Sequence, residues 1–136
     1  MHPSDPLIQK LQESALAASK NAYCPYSKFP VGAAVLTETG EIFAGCNVEN
    51  ASFGLTICAE RNAVFQALAK GQKKIRALAV VTPTDKPTPP CGACRQVINE
   101  FGAESEIFSF AKGDQVSQYR LEELLPHAFG PNNLGR

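Results

Sequence analysis

The spacing of hydrophobic residues changes between helical and strand periods along the chain. After Asp5 and Pro6, apolar residues recur every three or four positions, at Leu7, Leu11, Ala15, Ala18 and Ala22. This pattern predicts an amphipathic helix that begins at Pro6 and ends before Pro25, because Asp and Pro are typical of a helix start. Two β-like runs, residues 31–36 and 41–48, are separated by residues 37–40, which predicts an antiparallel hairpin.

The rest of the chain alternates between the two patterns. Good helix formers at residues 58–69 predict a second helix, and a continuous apolar run at 75–81 is typical of a strand buried on both faces. A third helix is predicted from Cys91 to about Phe101. The remaining predicted elements are a strand at 106–110, a turn at Gly113–Asp114, a short strand to Tyr119 and a helical turn at 121–125. This alternation predicts a three-layer α/β/α fold with a central mixed five-stranded sheet.

Length, charge and cysteine content narrow the classes of function. The 136 residues suit a single domain over residues 1–136, and the 13 basic residues balance the 13 acidic ones without long blocks of one sign. We therefore expect no nucleic-acid partner. Apolar runs are too short to cross a bilayer, so we expect no membrane partner and a cytoplasmic protein. Five cysteines, an odd number, fit reduced thiols better than a disulfide framework, and the zero net charge favours association into an oligomer.

Three of the cysteines are placed at predicted helix starts. Cys91 and Cys94 are separated by two residues, a spacing that suits either a tetrahedral metal or a redox pair. Cys58 is a third candidate ligand, and three protein ligands with an open fourth position define a catalytic zinc site. A structural zinc would need a fourth ligand, whereas the two histidines, His2 and His127, lie near the chain ends. The candidate ligands in the sequence therefore favour a zinc ion whose fourth coordination position is open.

Charged residues next to these cysteines suit a supporting role. Glu60 follows Cys58 by two residues, which is the right position for a general base that takes a proton from a zinc-activated water. Arg61 is three positions after Cys58, and Arg95 is four positions after Cys91. Each arginine can therefore share a helical face with its sulfur and donate to it, which would offset the negative charge of three thiolates.

Two motifs carry a resemblance to a known family. Residues 58–61, Cys-Ala-Glu-Arg, and residues 90–96, Pro-Cys-Gly-Ala-Cys-Arg-Gln, closely resemble the signature of the small three-cysteine cytidine deaminases. The resemblance spans nearly the whole chain and includes residues 26–34, 45–51 and 122–129. It implies a cytidine deaminase-like fold and a zinc-dependent hydrolase of pyrimidine salvage. The implied reaction converts cytidine and 2′-deoxycytidine to uridine and 2′-deoxyuridine with release of ammonia.

The same resemblance implies roles for individual residues. One zinc ion per chain would be held by Cys58, Cys91 and Cys94, with Glu60 as the proton shuttle. The resemblance implies that Phe29 packs against the pyrimidine, that Asn47 and Glu49 hold the ribose, and that the backbone of Ala59 contacts the base carbonyl. It also implies that Phe129 enters the site of a neighbouring subunit. Residues two apart on a strand point the same way, which independently suits a shared grip on one sugar. The implied assembly is a homotetramer whose sites are completed by neighbouring subunits.

Several alternatives stay open from the residues alone. Cys91 and Cys94 also match a thioredoxin-like redox pair, which would titrate as two thiols without zinc. A non-catalytic zinc module would need Cys24 or Cys46 as its fourth ligand, although free cysteines of this kind usually act as small apolar fillers. Among deaminases, a blasticidin-type enzyme shares the cysteine motifs, and the Asn47–Glu49 pair is what favours a ribose.

Other deaminase substrates fit the sequence less well. Enzymes that edit polynucleotides generally carry a His-x-Glu motif, which is absent here, and no basic channel or phosphate-binding cluster is evident for nucleic acid or deoxycytidylate. The sequence leaves open the preference between cytidine and deoxycytidine, the kinetic constants, the oligomeric state, and the roles of His127 and residues 132–136.

Overall fold

Strands and helices alternate in the order that the hydrophobic pattern predicts. Over its described residues, 1–113 and 115–136, the computed structural model contains four α-helices and five strands. The helices are α1 (Pro6–Ser19), α2 (Ala59–Ala69), α3 (Gly92–Gly102) and α4 (Leu121–Leu124), and the strands are β1 (Gly32–Thr37), β2 (Ile42–Cys46), β3 (Ile75–Val81), β4 (Glu106–Phe110) and β5 (Val116–Arg120). Short 3₁₀ turns, which the sequence did not predict, lie at Phe53–Leu55 and Pro131–Leu134. Asp114 of the predicted turn lies outside the described residues.

The strands form one mixed sheet in the order β2-β1-β3-β4-β5. Strand β1 is antiparallel to both β2 and β3, β3 is parallel to β4, and β4 is antiparallel to β5. The parallel pair needs a crossover connection, which α3 supplies between β3 and β4. The mixed five-stranded sheet that the sequence predicted is therefore confirmed.

Helices cover both faces of this sheet and make three layers. On one face, α1 buries Ile8, Leu11 and Ala15 against the sheet, in a core that includes Phe108. On the other face, α2 and α3 pack over a second core. The predicted apolar face of α1 was wrong at two positions. Leu7 is 38% exposed and the neighbouring Ile8 is buried instead, and Ala22 lies beyond the helix, which ends at Ser19.

Two glycines allow the helices to lie directly on strand backbones. A Cβ atom on Gly32 of β1 would lie 1.8 Å from the carbonyl oxygen of Ala15 in α1. A Cβ atom on Gly45 of β2 would lie 2.5 Å from the backbone nitrogen of Ala63 in α2. Both helices therefore approach the sheet more closely than a side chain at either position would permit.

The hairpin and the element ends differ slightly from the prediction. Gly40 has a φ of 89° in the turn between β1 and β2, a conformation that favours glycine. Strand β2 ends at Cys46, two residues earlier than predicted, and α2 is capped by Cys58. In the described part of the chain, no helix combines the length and apolar character that a membrane span requires.

Candidate active site with a three-cysteine cluster

Three thiols meet where two helices begin. Cys58 is the N-cap residue of α2, Cys91 is the N-cap residue of α3, and Cys94 lies in the first turn of α3. Their sulfur atoms all lie within 4.8 Å of one another, and the Cys91 and Cys94 sulfurs are 3.4 Å apart. Segments separated by more than 30 residues in sequence thus supply one compact donor set.

This donor set fits a zinc ion. An ion at about 2.3 Å from tetrahedrally arranged sulfurs leaves those sulfurs roughly 3.8 Å apart, which is close to the spacing observed. Cys94 is buried, Cys58 is partly buried and Cys91 is exposed, so the cluster has one side open to solvent. Among the described residues no further cysteine, histidine or carboxylate joins the group. Three ligands and an accessible side match a catalytic centre better than a closed structural one.

The surroundings favour thiolate at Cys58. A hydrogen bond from the Cys94 thiol, together with the Arg61 guanidinium, lowers the pKa of the Cys58 thiol to about 5. Arg61 donates from Nη2 to the Cys58 sulfur at 3.5 Å, and this contact raises the pKa of Arg61 in turn. The Nε atom of Arg61 is buried without a hydrogen-bond partner in the described part of the chain. The positive charge is therefore held beside the sulfurs, where it offsets their negative charge.

Glu60 lies beside the cluster in the first turn of α2. Its side chain is only 6% exposed, and burial raises the pKa of its carboxyl to about 7. The negative charge of Cys58 acts in the same direction, whereas Arg61 opposes it. A carboxyl with a pKa near neutrality can both accept and return a proton, which is what a general acid–base group requires.

Arg95 contacts backbone carbonyls instead of the sulfur that the sequence predicted. Its Nε donates to the carbonyl oxygen of Pro90 at 2.7 Å, and its Nη1 donates to that of Leu124 at 2.9 Å. The prediction that Arg95 donates to the Cys91 sulfur is therefore wrong. Arg95 instead holds the residue before Cys91 and ties α3 to the end of α4.

Asn47 and Glu49 lie just beyond β2 and reach the same loop. Asn47 donates from Nδ2 to the carbonyl oxygen of Phe29 at 2.9 Å, and its Oδ1 accepts from the Val31 N–H at 2.9 Å. Glu49 accepts from the loop's backbone and from the hydroxyl of Ser27. The Ser27 hydroxyl bond is the main cause that lowers the pKa of Glu49 below its usual value. The two side chains therefore face one way, although they do not lie on a regular strand.

The remaining predicted substrate contacts lie in three different segments of the chain. Ala59 is fully buried as the first residue of α2, where backbone N–H groups have no partner within the helix. Phe29 is partly exposed at the end of the loop held by Asn47. Phe129 is 59% exposed, and its carbonyl oxygen accepts hydrogen bonds from Gln96 and Asn99 of α3.

A narrow backbone ribbon joins the segments that carry these residues. Val48 donates its N–H to the carbonyl oxygen of Ile57, and Ile57 donates back to Val48, both at 3.0 Å. On the other side, the Tyr23 N–H donates to the carbonyl oxygen of Asn47 at 3.0 Å, and the Glu49 N–H donates to that of Tyr23 at 2.8 Å. The segment after α1, the segment after β2 and the segment before Cys58 are thus hydrogen-bonded to one another.

Sequence reasoning did not single out three residues that organise the site. Ser27 bonds to Glu49, Asn62 donates from Nδ2 to the carbonyl oxygen of Cys46 at 2.8 Å, and Gln96 bonds to Phe129. Ser27 and Gln96 lie within the motif segments, which was the only available signal, because their partners are remote in sequence. Cys24 and Cys46, predicted as buried fillers, are only partly buried and lie outside the described metal cluster.

Comparisons with known proteins agree with this geometry. Residues 6–110 match the family model described as "Cytidine and deoxycytidylate deaminase zinc-binding region". The chain is 47% identical over 129 residues to a cytidine deaminase from Sporosarcina psychrophila, covering 93% of this chain and 94% of that protein. It is 43% identical to one from Mycobacterium tuberculosis, covering 93% and 92%. A crystal structure of cytidine deaminase from Burkholderia pseudomallei superposes with a TM-score of 0.86 at 49% identity, covering 89% of this chain and 98% of that one.

Proposed function

The chain belongs to the family of zinc-binding cytidine and deoxycytidylate deaminases, and from this premise we propose that it hydrolyses cytidine to uridine and ammonia. The observation that carries the proposal is the cluster of three thiols with a buried carboxyl, Glu60, in the adjoining helix turn. We extend the proposal to 2′-deoxycytidine, because the base edge that reacts is the same in both nucleosides.

Cys58, Cys91 and Cys94 hold the zinc ion in this proposal. When bound, zinc lowers the pKa of a coordinated water to about 7 and so supplies a nucleophile at neutral pH. Arg61 donates to the Cys58 sulfur and offsets the charge of the thiolates. Arg95 acts one step further out, because it fixes the carbonyl of Pro90 and thereby the start of α3.

Glu60 moves the protons of the reaction. It takes a proton from the attacking water and delivers it to ring N3 while the water oxygen bonds to C4. It then takes the second proton of that oxygen and delivers it to the exocyclic amino group, and the C4–N bond breaks to release ammonia. One water is consumed for each ammonia released, and Glu60 ends in its starting state. The pKa of about 7 that burial gives this carboxyl suits both transfers.

Four residues bind and orient the nucleoside. Phe29 packs against the pyrimidine ring, and the backbone N–H of Ala59 donates to the base carbonyl. Asn47 and Glu49 hold the ribose hydroxyls. The contacts that support these roles are the hydrogen bonds from Asn47 and Glu49 to the loop that carries Phe29, since they bring the sugar-binding and base-binding groups together.

We also propose that the enzyme is a homotetramer whose sites are completed by neighbouring subunits. Several large apolar side chains of the single chain are exposed, namely Phe53, Leu55, Phe65, Phe129 and Leu134. Such exposure is typical of surfaces that are covered by a partner. The single chain has a cavity of about 810 Å³ between the start of β3 and the end of α3, but none of the proposed site residues line it. This cavity is therefore not the proposed substrate site. Closure of the site by a second chain would account for the open cysteine cluster.

The role of Phe129 has a direct test in mixed oligomers. If Phe129 acts in a neighbouring site, co-expressed Glu60→Ala and Phe129→Ala chains form some sites with both residues intact. Random assembly makes these about a quarter of all sites, so activity should return well above that of either variant alone. No recovery in a verified mixed tetramer would contradict action between subunits.

Cellular setting follows from the chemistry. The five cysteines include no disulfide among the described residues, and a zinc thiolate centre needs reduced thiols. We therefore place the enzyme in the cytoplasm. Conversion of cytosine nucleosides to uracil nucleosides is a step of pyrimidine salvage, which we propose as its pathway.

The test of the function is turnover measured together with metal content. Purified protein should rapidly lose the absorbance of cytidine and contain about one zinc per chain. Glu60→Ala should keep zinc and lose most activity, whereas Cys91→Ala should lose both. Cys24→Ala and Glu13→Ala are matched controls, because Cys24 lies outside the cluster and Glu13 is exposed on α1.

Each failure points to a different alternative. Zinc without turnover of cytidine, but with turnover of blasticidin, would indicate the other small-molecule deaminase. Absence of zinc, with Cys91 and Cys94 titrating as two thiols, would indicate a redox protein. A fully active Glu60→Ala variant would exclude the proton shuttle.

A further inference from the structure

The hydroxyl of Ser27 joins two groups that the proposed function assigns to substrate binding. Ser27 Oγ donates a hydrogen bond to Oε2 of Glu49, and Oγ itself accepts from the Phe29 N–H at 3.1 Å. Oε1 of Glu49 accepts from the N–H groups of Tyr26 at 3.0 Å and of Ser27 at 3.1 Å. A single serine therefore connects the carboxylate proposed for the sugar to the residue proposed for the base.

The side chains of Asn47 and Glu49 have enough unused hydrogen-bonding positions to bind a sugar hydroxyl between them. A carboxylate offers about four acceptor positions, and the loop occupies three on Glu49. Asn47 uses one of its two N–H donors on the carbonyl of Phe29 and one acceptor position on the N–H of Val31. A hydroxyl both donates and accepts, so it matches the second N–H of Asn47 and the remaining position on Glu49. The two backbone N–H groups fill Oε1, so the remaining position lies on Oε2, and the Ser27 hydroxyl on that oxygen determines which side of it stays available.

The loop needs these bonds in order to keep its shape. Lys28, between Ser27 and Phe29, has a φ of 57°, a left-handed conformation that is unfavourable for a non-glycine residue. Its N–H donates to the carbonyl oxygen of Cys24 at 3.0 Å, which closes the turn. Without the Ser27–Glu49 contact, the loop has less to oppose the relaxation of Lys28. Relaxation would move Phe29 and release the carboxylate together.

We propose that Ser27 is a positioning residue for sugar recognition, which aligns the Glu49 carboxylate with a nucleoside hydroxyl and couples it to Phe29. This inference rests on the proposed function, in which Glu49 and Phe29 contact the nucleoside. Ser27 itself does not touch the reacting atoms. Its effect should therefore appear in how well the enzyme distinguishes sugars, and not in the rate of the chemical step.

The measurement is discrimination between cytidine and 2′,3′-dideoxycytidine, expressed as the ratio of their kcat/KM values. In Ser27→Ala this ratio should fall about tenfold, the effect expected for one hydrogen bond to a charged group, through a higher KM for cytidine. The kcat for cytidine should stay within about twofold. Ser27→Thr, which keeps the hydroxyl, should restore the ratio. Ser117→Ala is the matched control, because Ser117 lies on β5 at the opposite edge of the sheet from β2.

A double variant separates positioning from general damage to the loop. In a Glu49→Gln background, adding Ser27→Ala should change the ratio by less than about twofold, because the serine acts through the carboxylate. An equal loss in both backgrounds, or an unchanged ratio in Ser27→Ala, would overturn the proposal. If Ser27→Ala does not fold, Ser27→Cys supplies the same comparison with a weaker donor of similar size. Failure of the wild-type enzyme to deaminate cytidine would instead refute the proposed function.

Discussion

Replacing Gly32 with alanine tests how closely α1 lies on the sheet. The added Cβ would lie 1.8 Å from the carbonyl oxygen of Ala15 and 2.7 Å from the backbone nitrogen of Ser19. Real Cβ contacts do not fall below 3.0 Å, so the helix backbone must move outward by about 1.2 Å, the difference between these two values. Neither contact is with a flexible side chain. The helix therefore has to separate from β1 along the stretch where it buries Leu11 and Ala15.

The expected cost is at the upper end of that for overpacked cores, about 3 kcal/mol. For a chain of 136 residues, an unfolding entropy of roughly 0.3 kcal/mol per kelvin converts this cost to a fall in Tm of about 10 °C. The assay is thermal unfolding of the zinc-loaded protein at one fixed concentration, because metal and assembly both shift Tm.

Glu13→Ala is the control, since Glu13 lies on the same helix and its side chain is exposed. Its Tm should stay within about 2 °C of the wild type. A Gly32→Ala protein that melts with the control would refute the reasoning, because α1 would then be able to move away from the sheet at no cost.

Further predictions concern the supports of the site. Arg95→Met removes hydrogen bonds to two backbone carbonyls at 2.7 and 2.9 Å and should lower the free energy of unfolding in urea by about 2 kcal/mol; an unchanged midpoint would contradict this. The Ser27 hydroxyl, neighbouring N–H groups and the Lys28 ammonium hold the pKa of Glu49 below its usual range, so its carboxylate stays charged as pH falls. Discrimination against 2′,3′-dideoxycytidine should therefore persist to lower pH in the wild type than in Ser27→Ala, and coincident pH profiles would contradict that reasoning.

The sequence predicted best those elements whose limits are set locally. The bounds of β3 and β4 agree with the predicted runs, because apolar stretches there end at prolines, glycines or charged residues. The predicted face of α1 was correct at Leu11 and Ala15 but wrong at its first position, because the choice between Leu7 and Ile8 depends on where the sheet lies. Strand β2 ended early because, beyond the bond from Asn47 to Val31, the backbone changes partner: the Asn47 carbonyl accepts from Tyr23, and Val48 pairs with Ile57.

Predictions for the site show the same limit. The grouping of Cys58 with Cys91 and Cys94 could be inferred from motifs, because each motif lies at a helix start and needs only to be brought to a common point. The partner of Arg95 could not, since the Leu124 carbonyl lies 29 residues away and no local rule selects it. The role of Ser27 could not be predicted either, because its hydrogen-bond partner Glu49 follows 22 residues later.

The backbone ribbon through Val48 has a consequence for motion. Val48 is bonded to Ile57 on one side, and its flanking residues are bonded to Tyr23 on the other, so neither neighbouring segment can swing away without breaking the shared hydrogen bonds. Amide protons of the ribbon should therefore exchange with solvent deuterium as one cooperative unit, with similar opening free energies. A fluctuation that moved Asn47, which holds the carbonyl of Phe29, would loosen Ile57, the residue before Cys58, at the same time. In the proposed enzyme, we therefore expect access of the nucleoside and retention of the metal to follow a single opening equilibrium.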